Sequence, residues 1–174
     1  MSLNLTYIGN PILKKATAPV TEFGEALAAH LPRMVEIMRA EGGVGLAANQ
    51  AGLDARFAIV IANVDDEDRE TDEILLMANP EILEFSKDEC VIEEGCLSVP
   101  GLREDITRPE HIRVRYQDVD GNTMELHTGD FLARVIQHEM DHLNGVLFIE
   151  RMSLAKRTLL KKKIESIREE YAGR

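Results

Sequence analysis

Apolar positions along the chain follow two different periods. Over residues 22–41 they fall at Leu27, Leu31, Met34 and Met38, the spacing of one helix face. Pro32 inside that stretch implies a kink or a helix that begins nearby, and Gly42, Gly43 and Gly45 end the pattern. Residues 57–62 form an unbroken apolar run and read as a buried strand. The acidic run 65–73 reads as a solvated loop. Short strands are predicted at 74–77, 82–85 and 91–94. Residues 112–116 alternate, 118–122 turn and 123–127 return, which is a hairpin signal. Thr128 or Asp130 can cap a helix running to about Leu143, where Asn144-Gly145 supplies the stop. Residues 146–149 read as a short apolar strand. Ser153 then caps a last amphipathic helix toward Tyr171, with Leu159, Leu160, Ile164 and Ile167 as its apolar side. The pattern predicts an α+β fold: short, mostly antiparallel strands packed around one central helix, followed by a C-terminal helix.

Length and charge narrow the picture. The 174 residues fit one domain, 1–174. No apolar run approaches the length of a membrane span. The N-terminus lacks a basic region followed by an apolar core, so no secretory leader is expected. The expectation is a soluble cytoplasmic protein with no membrane partner. A net charge of −11 argues against binding nucleic acid over most of the surface, and against a specific DNA target. Charge is uneven, however. Residues 151–174 carry eight Lys/Arg against three Asp/Glu, a basic helical extension of +5 on a remainder of −16. The two cysteines, Cys90 and Cys96, are expected as reduced thiols with different jobs, Cys90 being a packing residue.

The chemistry concentrates in Gln137-His138-Glu139-Met140-Asp141-His142. On a helix, residues four apart share a face, so His138 and His142 can grip one ion. Glu139 lies about 100° round the helix, within reach of a water at that ion but clear of the ion itself. The H-E-x-x-H pattern is that of a hydrolytic metal site with glutamate as general base. Phe131, Leu132, Val135, Ile136, Met140 and Leu143 make the rest of the helix apolar, where two histidines and a glutamate would be costly without a partner. A third ligand is needed. One known arrangement would place a histidine six residues after His142, where Phe148 stands. Another would use a downstream carboxylate, for which Glu165 is available. A third candidate is Cys96, in Glu94-Gly95-Cys96-Leu97-Ser98. The spacing alone leaves Glu165 and Cys96 open, and a zinc endopeptidase using Glu165 is the alternative function.

Three segments together resemble the hallmark motifs of peptide deformylases: Gly43-Val44-Gly45-Leu46-Ala47-Ala48-Asn49-Gln50, Glu94 to Ser98, and Gln137 to His142. They occur in that family's order, and the similarity runs from Gly9-Asn10-Pro11 to the C-terminal helix. The resemblance implies that Cys96, His138 and His142 bind one divalent metal, with Fe(II) favoured and zinc or nickel able to replace it. It implies a hydrolase that removes the formyl group from N-formyl-methionine of nascent polypeptides. Glu139 would move the proton, while the Gln50 side-chain amide and the Leu97 N–H would stabilise the oxyanion. Gly43 and Gly45 would admit the peptide backbone. Val44, Ile92, Phe131 and Val135 would line the methionine pocket, with Arg134 at its rim. Glu94, counted with the substrate-binding set, and Arg108 would support the site. Because such substrates emerge from ribosomes, the basic helix bearing Lys156, Arg157, Lys161, Lys162, Lys163 and Arg168 could dock on ribosomal RNA.

Overall fold

A computed structural model describes residues 3–66 and 71–173. In place of one helix over 22–41 there are two, α1 (Glu25–Ala28) and α2 (Leu31–Ala40). Pro32 sits in the first turn of α2, where a missing N–H costs nothing, so of the two readings the chain takes a fresh start rather than a kink. Strands β1 (Gly45–Ala47), β2 (Phe57–Ile61) and β3 (Ile74–Phe85) follow, then β4 (Glu89–Cys96), β5 (Val99–Pro109), β6 (Ile112–Gln117) and β7 (Thr123–Thr128). The chain closes with α3 (Asp130–Leu143) and α4 (Leu154–Glu170). All pairings are antiparallel. One sheet has the order β1-β2-β3-β6-β7, and β4 and β5 form a separate two-stranded ribbon.

The two faces of β2 explain its unbroken apolar sequence. Phe57, Ile59 and Ile61 pack with Met34 and Met38 of α2. Val60 packs on the other face with Val135, Ile136 and Met140 of α3. The sheet is therefore sandwiched between α2 and α3, and β2 meets no water on either side. A further cluster joins Leu102 and Ile106 of β5 to Ile164 and Ile167 of α4. Leu159 does not share in it. That side chain is 84% exposed, because the helix turns it outward when Ile164 and Ile167 face in.

Several other expectations change. The strands 74–77 and 82–85 are one strand, β3, bulged between Ala78 and Glu81. Asn79, at φ 47°, absorbs the bulge, and its side-chain amide bonds to the Val20 N–H and C=O. Residues 146–149 are not a strand. A 3-10 helix, Phe148–Arg151, forms instead, with the Glu150 carboxylate accepting the Leu147 N–H at 2.9 Å. Ser153 caps α4 as expected, accepting the Lys156 N–H.

The start of α3 departs most from expectation. Neither Thr128 nor Asp130 caps it. The N-cap is Gly129, which makes no side-chain cap bond. The orphan N–H groups of Phe131 and Leu132 are taken by the two carboxylate oxygens of Asp65, at 3.1 and 3.0 Å. Asp65 belongs to the acidic run read as a solvated loop, of which residues 67–70 lie outside the described residues. An acceptor of this kind at a helix N-terminus is worth about 1 kcal/mol. Among the described residues no helix is long and apolar enough to cross a membrane.

Candidate metal centre

Helix α3 carries His138, Glu139 and His142 into the interior, since it is buried from Leu132 to Leu143. It lies against β1, β2 and the 3-10 turn Ala48–Ala51. The β4–β5 ribbon approaches from the other side and delivers Cys96 from the end of β4. Donor atoms of Cys96, His138 and His142 all fall within 4.8 Å of one another. Cys96 Sγ and His142 Nε2 are 3.1 Å apart, and the two imidazole rings meet edge to face at 5.0 Å. Both cysteines are free thiols. Glu165 stands apart: it is exposed on α4, 3.9 Å from Lys161. The third donor is a thiol, and the alternative that used Glu165 is not favoured.

Each imidazole has a defined electrostatic setting. His138 Nδ1 donates to Glu94 Oε2 at 3.0 Å, so Nε2 is left for the site. Burial disfavours a charge on His138, but hydrogen bonds to Cys96 and Glu94 outweigh it and raise the pKa well above the ordinary value. That is the anionic surrounding a cation needs. Burial lowers the His142 pKa well below its usual value, helped by the His138 charge, so this imidazole is neutral and able to ligate. One thiol and two imidazoles, partly buried and convergent, fit a divalent cation of the Fe(II) or Zn(II) kind.

Glu139 lies beside this cluster. Its Oε2 is buried and has no partner among the described residues. Burial pushes its carboxyl up to about 7, opposed by the His138 charge and the Ala47 N–H. A proton acceptor tuned near neutrality suits general acid–base work. Its closeness to β1 demands glycine: a Cβ on Gly45 would sit 2.6 Å from Glu139 Oε1 and 2.9 Å from Val135 Cγ1. Gln50 is buried, with Oε1 fixed by the Ala47 N–H at 2.8 Å. Its Nε2 therefore faces Ser98 Oγ at 3.2 Å and Cys96 Sγ at 3.7 Å.

A buried ion network backs the centre. Arg108 grips both oxygens of Glu94, at 2.6 and 3.0 Å, and reaches Asp141 at 2.8 Å with its remaining nitrogen. Burial pushes the Glu94 carboxyl up, yet hydrogen bonds from His138 and Arg108 prevail and hold it well below the usual range. Both oxygens of Glu94 are so engaged, and one of them holds His138, though the residue also borders the adjoining cavity. Arg134 borders the substrate cavity, as expected. Its guanidinium is buried against Glu94 and the carbonyls of Ile106 and Cys90, because an uncompensated carboxylate there would be costly.

A cavity of about 750 Å³ opens over the centre. Gly43, Val44, Gly45, Leu97, Phe131 and Val135 are among its lining residues. Ile92 is not among its lining residues; two positions before Glu94 on the ribbon, it lies outside the wall that begins at Glu93. Sequence reasoning missed two supports. Asn49 Nδ2 donates to the His142 carbonyl at 2.6 Å. The N-terminal segment ties the motifs together, with the Thr6 N–H on the Gln50 carbonyl and the Ile8 N–H on the Ser98 carbonyl.

The polypeptide deformylase family model matches residues 2–158. The chain is 43% identical over 166 residues to a peptide deformylase of Thermotoga neapolitana, spanning 95% of this chain and 96% of that protein. It is 41% identical over 173 residues to one of Salinibacter ruber, spanning 96% and 89%. A solved peptide deformylase of Plasmodium falciparum superposes with a TM-score of 0.87 at 30% identity, covering 97% of this chain and 96% of that one. That of Thermotoga maritima gives 0.79 at 41% identity, covering 88% and 99%. Sequence and architecture agree over nearly the full length, and the chain belongs to the polypeptide deformylase family.

Proposed function

We infer that this protein hydrolyses the N-formyl group of N-formyl-methionyl nascent peptides, releasing formate. The observation that carries this reading is the convergence of Cys96, His138 and His142, beside the buried Glu139 and under a cavity bordered by an edge strand. Those three residues would hold one divalent metal, Fe(II) in the cell, with zinc or nickel able to substitute; a mixed thiolate and imidazole set suits all three. When bound, the cation supplies Lewis acidity, which polarises a carbonyl and makes water ionise near neutral pH.

The protein's own groups do the rest. Among the described residues strand β1 pairs with no strand but β2, so its outer edge can take a short extended peptide as an added strand. Val44, Phe131 and Val135 receive the methionine side chain. Glu139 accepts a proton from the attacking water and returns it to the departing amine. The Gln50 amide, already turned toward Cys96, and the Leu97 N–H donate to the oxygen that gains charge as the formyl carbon becomes tetrahedral. Such a donor is typically worth about 3–4 kcal/mol.

Formate release from a formyl-methionyl peptide and from its unformylated twin, on anaerobically purified protein with its metal quantified, tests the reading. Formate from the first peptide alone, with one iron per chain, is expected. Cleavage of an internal peptide bond without formate would sink the deformylase assignment, and full zinc occupancy with no iron would sink the choice of metal.

The basic face of α4 supports a ribosome contact in a cytoplasmic setting. Arg157, Lys161 and Lys162 are exposed, while Ile164 and Ile167 anchor the helix. Reversing those three charges should abolish salt-sensitive co-sedimentation with ribosomes. Unchanged sedimentation would dismiss the contact.

A further inference from the structure

The basic terminal helix also reaches the substrate cavity, since Lys163 of α4 is one of the residues that line it. Lys163 lies beyond residue 158, where the family-model match ends. Its neighbours on the helix are engaged: Lys156 with Glu104 at 2.7 Å and Lys161 with Glu165. Lys163 is exposed, and among the described residues its ammonium has neither a salt bridge nor a hydrogen bond. Its charge is nevertheless felt nearby. The Glu104 carboxyl, held low chiefly by Lys156, is lowered further by Lys163. Elsewhere at the mouth, Arg103 and Glu93 neutralise one another at 2.8 Å, and Glu41 lies on the side that follows α2.

We propose that Lys163 is a specificity-determining residue which favours an acidic side chain among the residues that follow the formyl-methionine. The inference rests on the deformylase reading, because it is the reacting end at Cys96 and Glu139 that fixes where the remainder of the peptide must go. Beyond the methionine the chain leaves through the mouth, advancing about 3.3 Å per residue as a strand. There it meets a flexible, compact cation with no partner of its own. Although the chain carries a net charge of −11, the helix that bears Lys163 is locally basic and attracts an approaching carboxylate. An exposed pair gives a modest preference, and one that salt weakens.

The test measures kcat/KM on formyl-Met-Ala-Ala-Ala peptides in which each alanine in turn is replaced by glutamate or by lysine. The proteins are metal-loaded wild type, Lys163→Met and Lys163→Glu. At low salt the wild type should prefer glutamate over lysine by about 3-fold or more at one position at least. The ratio should fall toward one in Lys163→Met, invert in Lys163→Glu, and shrink at high salt in the wild type. Ratios that are equal in all three proteins overturn the proposal, as does a glutamate preference that survives both substitutions. Absence of formate from every peptide with the wild type would instead strike the deformylase reading itself.

Discussion

Glu139→Ala is expected to keep its metal and lose turnover, with kcat falling at least 10²–10⁴-fold, the usual worth of a positioned general acid–base. Metal retention follows because the donor cluster consists of Cys96, His138 and His142 and omits Glu139. His138 is oriented from the opposite side by Glu94, so truncating Glu139 removes none of its supports. Stability offers a second, independent signature. Glu139 buries an oxygen with no partner and a carboxyl that burial has pushed up to about 7, which is a strained position for an acid. Glu139→Gln, which keeps the shape, should melt no lower than the wild type while remaining inactive, the exchange of stability for activity expected at a catalytic site. Turnover retained in metal-loaded Glu139→Ala would remove the role assigned to this carboxylate. Loss of metal in that variant would mean that Glu139 is a ligand after all.

The second large effect is expected at a residue that need never touch substrate. Arg108→Met strips the bidentate partner from Glu94 and one partner from Asp141, both buried. Breaking a buried ion pair by removing one side typically costs about 3–5 kcal/mol, or roughly 6–20 °C in Tm for a chain of this size. Metal affinity should fall by about 10–100-fold as well, because Glu94 then holds His138 less firmly. Arg108→Lys should rescue little, since an ammonium cannot present the fork that spans both oxygens of Glu94. A melting temperature within about 2 °C of wild type would show that Arg134 and Arg151, which also bond Glu94 and Asp141, carry the network without it.

What could be read from the sequence divides along a physical line. Features set by near neighbours were legible: the i, i+4 histidines, the hairpin of β6 and β7, the Ser153 cap, the stop at Asn144-Gly145. Features set by residues far apart in the chain were not. Asp65 caps a helix that starts more than sixty positions later, and nothing in its acidic surroundings distinguishes it from a solvated loop. Cys96 was one of two open candidates, and only family resemblance chose it over Glu165, because a thiol on a loop has no spacing relation to the histidines. Strand β5 was missed for a different reason. Its buried face includes Arg108 beside Leu102 and Ile106, with Glu104 half-buried between them, so the two-residue rhythm is hidden by charge. The charge is there because that face closes the ion network over the metal centre. The run at 146–149 misled in the opposite sense. Four apolar residues cannot tell a strand from a turn of helix, and Glu150 tips the choice by accepting the Leu147 N–H.

The open flank of β1 has a bearing on self-association. Unpaired sheet borders are where copies of a protein zip together, and long, flat ones do so most readily. Here the border spans only Gly45–Ala47, lies buried beside Glu139, and is interrupted at once by the turn at Ala48–Ala51. Three buried residues are enough to seat a short extended guest but too few to template a neighbouring sheet, so this seam does not invite fibres at high concentration.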